Sequence, residues 1–167
     1  TSLADLIYTL GEEHFSRGIA RSIVAARVAA PIQTTGQLVA AIEAGVPGWY
    51  KKRRIHAATK TFQALRIAVN DELGALREGL AAAIAKLSDG GRVAVITFHS
   101  IEDRIVKSML RDAAHAGQGT VITKKPIIPT SDESTRNPRA RSAKLRVFER
   151  SARAAALITS SSLALYA

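Results

Sequence analysis

The sequence predicts an α/β fold: an incomplete open sheet preceded by a helical module. Three observations predict it. The run Arg92 to Phe98 is short, β-branched and nearly continuously apolar, the pattern of a parallel-sheet strand buried on both faces. A helical pattern from Ile101 to about Ala114 follows it at once, so the chain reads strand, turn, helix. Ahead of residue 57 only helical patterns occur.

Composition narrows the class of partner. The chain has 167 residues, enough for one ordinary domain or part of a larger one. Its net charge of +10 favours a polyanion, nucleic acid first and an anionic membrane surface second. The absence of cysteine excludes a disulfide scaffold, a thiolate metal site and a cysteine nucleophile. No opening signal peptide and no bilayer-length apolar run occur, so a soluble, cytoplasmic protein is expected. The first residue is Thr1, which points to a processed or truncated chain.

Taken in order, Ser2 caps a short amphipathic helix, Leu3 to Leu10, that Gly11 ends. Glu12 and Glu13 open a second helix to about Val28, with Phe15, Ile19, Ile23 and Val24 on one face. Arg17, Arg21 and Arg27 lie opposite, as a solvated face or an RNA contact. Pro31 stops that helix. A third runs from Thr35 to Ala44 with Leu38, Val39 and Ile42 inward, ended by Gly45, Pro47 and Gly48. A loop follows in which Trp49 and Tyr50 precede Lys51, Lys52, Arg53 and Arg54. Aromatics beside cations grip nucleic acid by stacking plus phosphate contact; the alternative is a mobile basic loop with Trp49 tucked into the core.

Ala57 to about Leu87 is the longest helical pattern, striped by Phe62, Leu65, Ile67, Val69, Leu73, Leu76, Leu80 and Ile84, with a bend at Asn70-Asp71-Glu72 or Gly74. Arg66, Asn70 and Asp71 read as buried polar ties to the sheet. After the central strand and helix, Thr120 to Thr123 is a short strand, Lys124 to Ala140 a proline-containing polar loop, and Ala143 to Glu149 the final strand. Both late strands are expected to pair with the central one. Three strands and one crossover helix leave that strand short of a neighbour, so further β/α units are expected upstream or from a partner chain. The tail 151–167 is small and apolar and carries no structural assignment.

Polar residues delivered at the C-terminal end of such a strand are where open α/β sheets build ligand sites. His99, Ser100, Glu102 and Asp103 are therefore the candidate pocket wall and catalytic set. The plainer alternative is that Ser100 and Asp103 cap the helix and Glu102 pairs with Arg104 or Lys107. Gly90-Gly91 precedes its strand, so it makes a poor phosphate or cofactor loop, and no cofactor-binding residue is assigned. His14, His56, His99 and His115 lack metal-ligand spacing, and Ser100 lacks the context of a hydrolase nucleophile. The candidate RNA-binding residues are Lys52, Arg53 and Arg54, then Lys124, Lys125, Arg136, Asn137, Arg139, Arg141, Lys144 and Arg146.

Four segments carry a resemblance. Gly11-Glu-Glu-His-Phe-Ser-Arg-Gly-Ile-Ala-Arg21, Thr59-Lys-Thr-Phe-Gln-Ala-Leu-Arg-Ile-Ala-Val-Asn-Asp-Glu-Leu73, Phe98-His-Ser-Ile-Glu-Asp-Arg-Ile-Val-Lys107 and Asn137-Pro-Arg-Ala-Arg-Ser-Ala-Lys-Leu-Arg146 occur in that order. Together they resemble the bacterial small-subunit ribosomal RNA cytosine-N(4) methyltransferases, from about Leu3 to Arg150. The resemblance implies a partial class I (Rossmann-like) methyltransferase sheet preceded by an α-helical insertion module. Residues 1–56 are then the insertion, a substrate-recognition module, and 57–150 the C-terminal part of the sheet domain. It implies methyl transfer from S-adenosylmethionine to the exocyclic amine of a cytidine, with small-subunit ribosomal RNA or the ribosomal subunit as partner and no membrane. The family's cofactor loop and acidic ribose partner lie in an earlier half that this sequence lacks. The isolated chain is accordingly expected to bind no cofactor and to be inactive until that half is supplied in cis or in trans. A stand-alone basic RNA-binding module without catalysis is the alternative.

Overall fold

A computed structural model describes residues 2–151. The chain forms two compact units that divide between Glu72 and Leu73.

The first unit is helical: α1 (Leu3–Gly11), α2 (Ser16–Ala29), α3 (Thr35–Ala44), α4 (Gly48–Lys51) and α5 (Thr59–Asn70). Ser2 caps α1 reciprocally: its hydroxyl accepts from the Asp5 N–H at 3.2 Å and donates to the Asp5 carboxylate at 2.7 Å. In α3 the Thr34 hydroxyl accepts from the Gln37 N–H at 3.2 Å, and Gln37 Oε1 accepts from the Thr34 N–H at 3.0 Å. The second helix does not begin at Glu12 as expected. Glu12 sits in the left-handed region, at φ 51°, and ends α1, and α2 starts only at Ser16. The physical reason is that Glu13 turns inward, fully buried, to accept from the Phe15 N–H and the Tyr50 hydroxyl. Ile7, Ile19, Ile23, Ile42 and Tyr50 form the core with Ala57 and Ala58. Gly45 permits the close approach of α2: a Cβ there would lie 2.6 Å from the Ile19 Cα. Helix α5 packs on α1, so this unit runs past residue 56.

The expected 57–87 helix is two helices, α5 and α6 (Glu72–Lys86), broken at Asp71, which adopts φ 48°. Arg66, Asn70 and Asp71 are exposed, not buried ties; Arg66 pairs with Glu72 through two bonds of 2.7 and 3.0 Å.

The second unit holds most of α6, then β1 (Arg92–Thr97), α7 (Ser100–His115), β2 (Gly119–Val121), α8 (Ser131–Arg136), a 3-10 turn (Pro138–Ser142) and β3 (Lys144–Arg150). The sheet order is β1-β3-β2, with β3 antiparallel to both neighbours. β1 and β2 therefore run the same way, joined through α7. The register pairs Arg92 with Glu149 and Thr97 with Lys144, then Thr120 with Glu149. Two expectations are corrected here. β3, not β1, is the middle strand, and β2 does not pair with β1.

β1 is also not buried on both faces. Val93 and Val95 pack with Phe148 onto Leu80, Ile84, Val106 and Leu110. Ala94 and Ile96, on the other face, are exposed, Ile96 to 58%. The apolar run that reads as doubly covered has its second cover missing among the described residues. The polar loop expected over 124–140 contains α8 and leads into the 3-10 turn. Of the tail 151–167, all but Ser151 lies outside the described residues. No helix among the described residues is long and apolar enough to cross a membrane.

Candidate functional site

β1 ends at Thr97 and hands the chain through Phe98 and His99 into α7. His99, not Ser100, is the helix cap. Its Nδ1 accepts from the Glu102 N–H at 3.3 Å, and Glu102 Oε2 accepts from the Phe98 and His99 N–H groups at 2.8 and 3.3 Å. The corner is thus a capping box in which an imidazole does the work usually done by a hydroxyl. His99 Nε2 is buried 3.2 Å from Glu102 Oε1, in a geometry that makes no hydrogen bond, so this contact is an ion pair only when the ring is protonated. Ser100 is the first helical residue and is exposed. Glu102 thus reaches backward, to the start of its own helix.

Asp103 lies inside the first turn of α7, where the dipole favours negative charge, and is buried. Arg146 of β3 grips it with both arms, Nε to Oδ1 at 2.7 Å and Nη2 to Oδ2 at 3.2 Å, and Lys144 Nζ adds a third bond at 3.2 Å. The Arg146 fork, helped by Lys144, holds the Asp103 carboxyl below the usual carboxylate range although burial opposes it. Asp103 is therefore a fixed anion tying α7 to β3. This corrects the placement of Arg146 among the RNA contacts: it is 4% exposed and committed to Asp103. Lys144 shares that carboxylate with its side chain 36% exposed.

A cleft of about 330 Å³ opens at the corner. Phe98, His99 and Ser100 line one side; Ile128, Pro129 and the stretch Arg141 to Lys144 line the other. Of the four candidate wall residues, His99 and Ser100 line this cleft, whereas Glu102 and Asp103 stand behind them. Phe98 and Ile128, both exposed, were not among the expected site residues. Phe98 was legible as an aromatic closing an apolar strand; Ile128 had no local signal. Lys124, Lys125, Arg136, Asn137, Arg139 and Arg141 are all exposed. Arg136 occupies the last turn of α8, and Arg139 and Arg141 the 3-10 turn that leads to the cleft.

In the first unit, Lys52, Arg53 and Arg54 are exposed, beyond a cluster of three aromatic rings. Tyr50, not Trp49, tucks into the core, and Trp49 is 63% exposed. Phe15 and Tyr50 meet edge to face at 4.7 Å between ring centres, and Trp49 leans on both, at 5.8 and 5.7 Å. The Arg53 guanidinium lies 5.1 Å from the Tyr50 ring centre. Burial, then the hydrogen bond to Glu13, pushes the Tyr50 phenol up to about 12.

A βαβ crossover with an antiparallel third strand, and a polar corner opening at the end of its first strand, define part of a methyltransferase-like α/β fold. The model of the MraW methylase family matches residues 1–151, and the chain belongs to that family. It is 59% identical to the Ribosomal RNA small subunit methyltransferase H of Deinococcus radiodurans, over 91% of this chain and 47% of that relative. The proteins of the same name from Rippkaea orientalis and Koribacter versatilis are 54% and 56% identical, over 90% and 89% of this chain. The chain spans about half the length of these relatives.

Proposed function

We propose that this chain is the substrate-side part of an S-adenosylmethionine-dependent methyltransferase that modifies the N(4) amine of a cytidine in small-subunit ribosomal RNA. Residues 1–56 serve as its substrate-recognition insertion, and 57–150 as the later part of its catalytic sheet. The observation that carries the reading is the corner after β1, where a strand whose outer edge is open among the described residues delivers His99 and Ser100 to a cation-flanked cleft. The relatives, each a Ribosomal RNA small subunit methyltransferase H, support methyl transfer and small-subunit ribosomal RNA as its target.

In this reading the seat of the methyl donor lies in the part of the relatives that this chain does not span. Gly90 and Gly91 precede β1, at the opposite end of the strand from the corner, so they cannot cradle a group beside His99. The donor's seat belongs to β/α units that pair with the outer edge of β1. What this chain supplies is orientation. The cytidine amine is a weak nucleophile because its lone pair is delocalised into the ring, so holding it in line is a large share of the catalysis. The base must leave its stack to be reached, and the cleft beside Phe98 receives it. Ser100 stands beside the amine, His99 shapes the cleft wall as the cap of α7 with both ring nitrogens turned to Glu102, and Asp103 positions the corner through Arg146. Arg136, Arg139 and Arg141 with Lys124 and Lys125 hold the phosphates.

The test is methyl incorporation into small ribosomal subunits, from labelled S-adenosylmethionine in solution. The chain alone gives none; mixed with the upstream half of the Deinococcus radiodurans relative it becomes active. In that mixture His99→Ala lowers turnover roughly a hundredfold, the cost of a loosened near-attack geometry. Turnover by the chain alone overturns the division of labour. A folded mixture that stays inactive but binds RNA in a salt-dependent way favours a basic RNA-binding module, the reading suggested by the exposed cations.

A further inference from the structure

We propose that Trp49 is a stacking shelf for an unpaired nucleobase, forming an RNA contact in the helical unit separate from the corner after β1. It rests on RNA as the partner, but not on methyl transfer. The shelf is built from beneath. The Glu13 carboxylate is fully buried and accepts from the Phe15 N–H at 2.8 Å and the Tyr50 hydroxyl at 2.6 Å, which fixes both rings. Trp49 leans on those two rings, at 71° to Phe15 and 82° to Tyr50. The indole is T-shaped to both supports, and 63% of the residue still meets solvent.

A large apolar side chain costs free energy when left in water, so an indole supported in this manner fits a flat apolar partner. The surroundings choose which kind. Lys51, Lys52, Arg53 and Arg54 follow the indole directly, and all four are exposed. Alternation of an aromatic platform with adjacent cations matches a base and its flanking phosphates. A protein partner would need a matching acidic apolar surface, and a duplex offers no free base face, so single-stranded RNA is the occupant.

Trp49 is the sole tryptophan of the chain, so its fluorescence reports the contact directly. The full chain is titrated with a pyrimidine oligoribonucleotide of about ten nucleotides, within the site sizes of single-strand binders. Inorganic polyphosphate and a blunt RNA duplex serve as comparisons. The oligonucleotide quenches the indole; polyphosphate and duplex bind without quenching it. Measured by anisotropy of labelled RNA, Trp49→Ala weakens binding roughly tenfold, while Trp49→Phe retains most of it. The salt slope is unchanged in both, whereas Lys51→Ala and Lys52→Ala flatten it by about 0.7 per lost phosphate contact. Circular dichroism confirms that each variant is folded. Equal quenching by polyphosphate, or an affinity indifferent to Trp49→Ala, overturns the shelf. Failure of methyl incorporation in the completed enzyme, with quenching intact, would count against the catalytic reading and leave the shelf standing.

Discussion

At the scale of single residues, the most consequential contact joins Asp103 to Arg146. Both are buried, so removing one strands the other's charge. Asp103→Ala is expected to destabilise the second unit by about 3–5 kcal/mol, measured by urea unfolding. The same carboxylate sets an acid limit. Its folded pKa is depressed, so its contribution is present above the ordinary carboxylate value of about 3.9 and is lost as pH falls through the lower folded value. Tyr50 sets the opposite limit. Its phenol is raised to about 12, so its contribution is whole below the ordinary value of about 10 and is lost as pH rises through about 12. Tyr50→Phe should remove that alkaline loss and cost about 1–3 kcal/mol at neutral pH, because Glu13 loses a buried donor. Neither partnership was legible in the sequence. Glu13 reads as the second acid of a helix start, and Arg146 as one more cation in a basic run. Each is decided by a residue distant along the chain, 37 positions away for Glu13 and 43 for Arg146.

Among elements, those governed by local signals were readable and those governed by neighbours were not. Ser2 and Thr34 announce α1 and α3 because a hydroxyl cap with Asp5 or Gln37 in its third position is a purely local device. The strand, turn and helix from Arg92 onward were legible for a similar reason, as was the cleft's placement at the end of that strand. The cap itself was not: a histidine beside a serine invites the serine reading, and only the backbone shows His99 taking the role. His99→Ala should cost about 1 kcal/mol in thermal or urea unfolding, and His99→Asn should recover most of it, since a short amide serves the same N–H. A variant that regains stability while the completed enzyme stays impaired would separate the imidazole's capping from its part in the cleft. The break at Asp71 was legible as a bend, but its position is set by one residue in the left-handed region, which aspartate tolerates better than most.

For the molecule as a whole, the sheet looks like one side of a larger structure. Ile96, Phe98, Ile127 and Ile128 are each more than half exposed, and β1 has no strand on its outer edge among the described residues. An apolar surface of this kind binds hydrophobic dyes and invites association. The chain alone is expected to brighten anilinonaphthalene sulfonate, and the upstream half of a relative is expected to abolish that signal; dye binding unaffected by the added half would argue that this surface is not where the two meet. The sequence revealed the need for a cover through the double-sided apolar run of β1, but it misplaced the strand at the centre, because strand order is settled by long-range pairing. That order has a consequence for how the protein is made. The strand that bridges the other two is the last of the three to leave the ribosome, so β1 waits for it while roughly fifty residues are translated and β2 while roughly twenty-five are, seconds at ordinary synthesis rates. Through that interval the nascent polypeptide depends on helix-to-helix contacts or a chaperone, and a stop codon before Lys144 would leave two strands with nothing to join them.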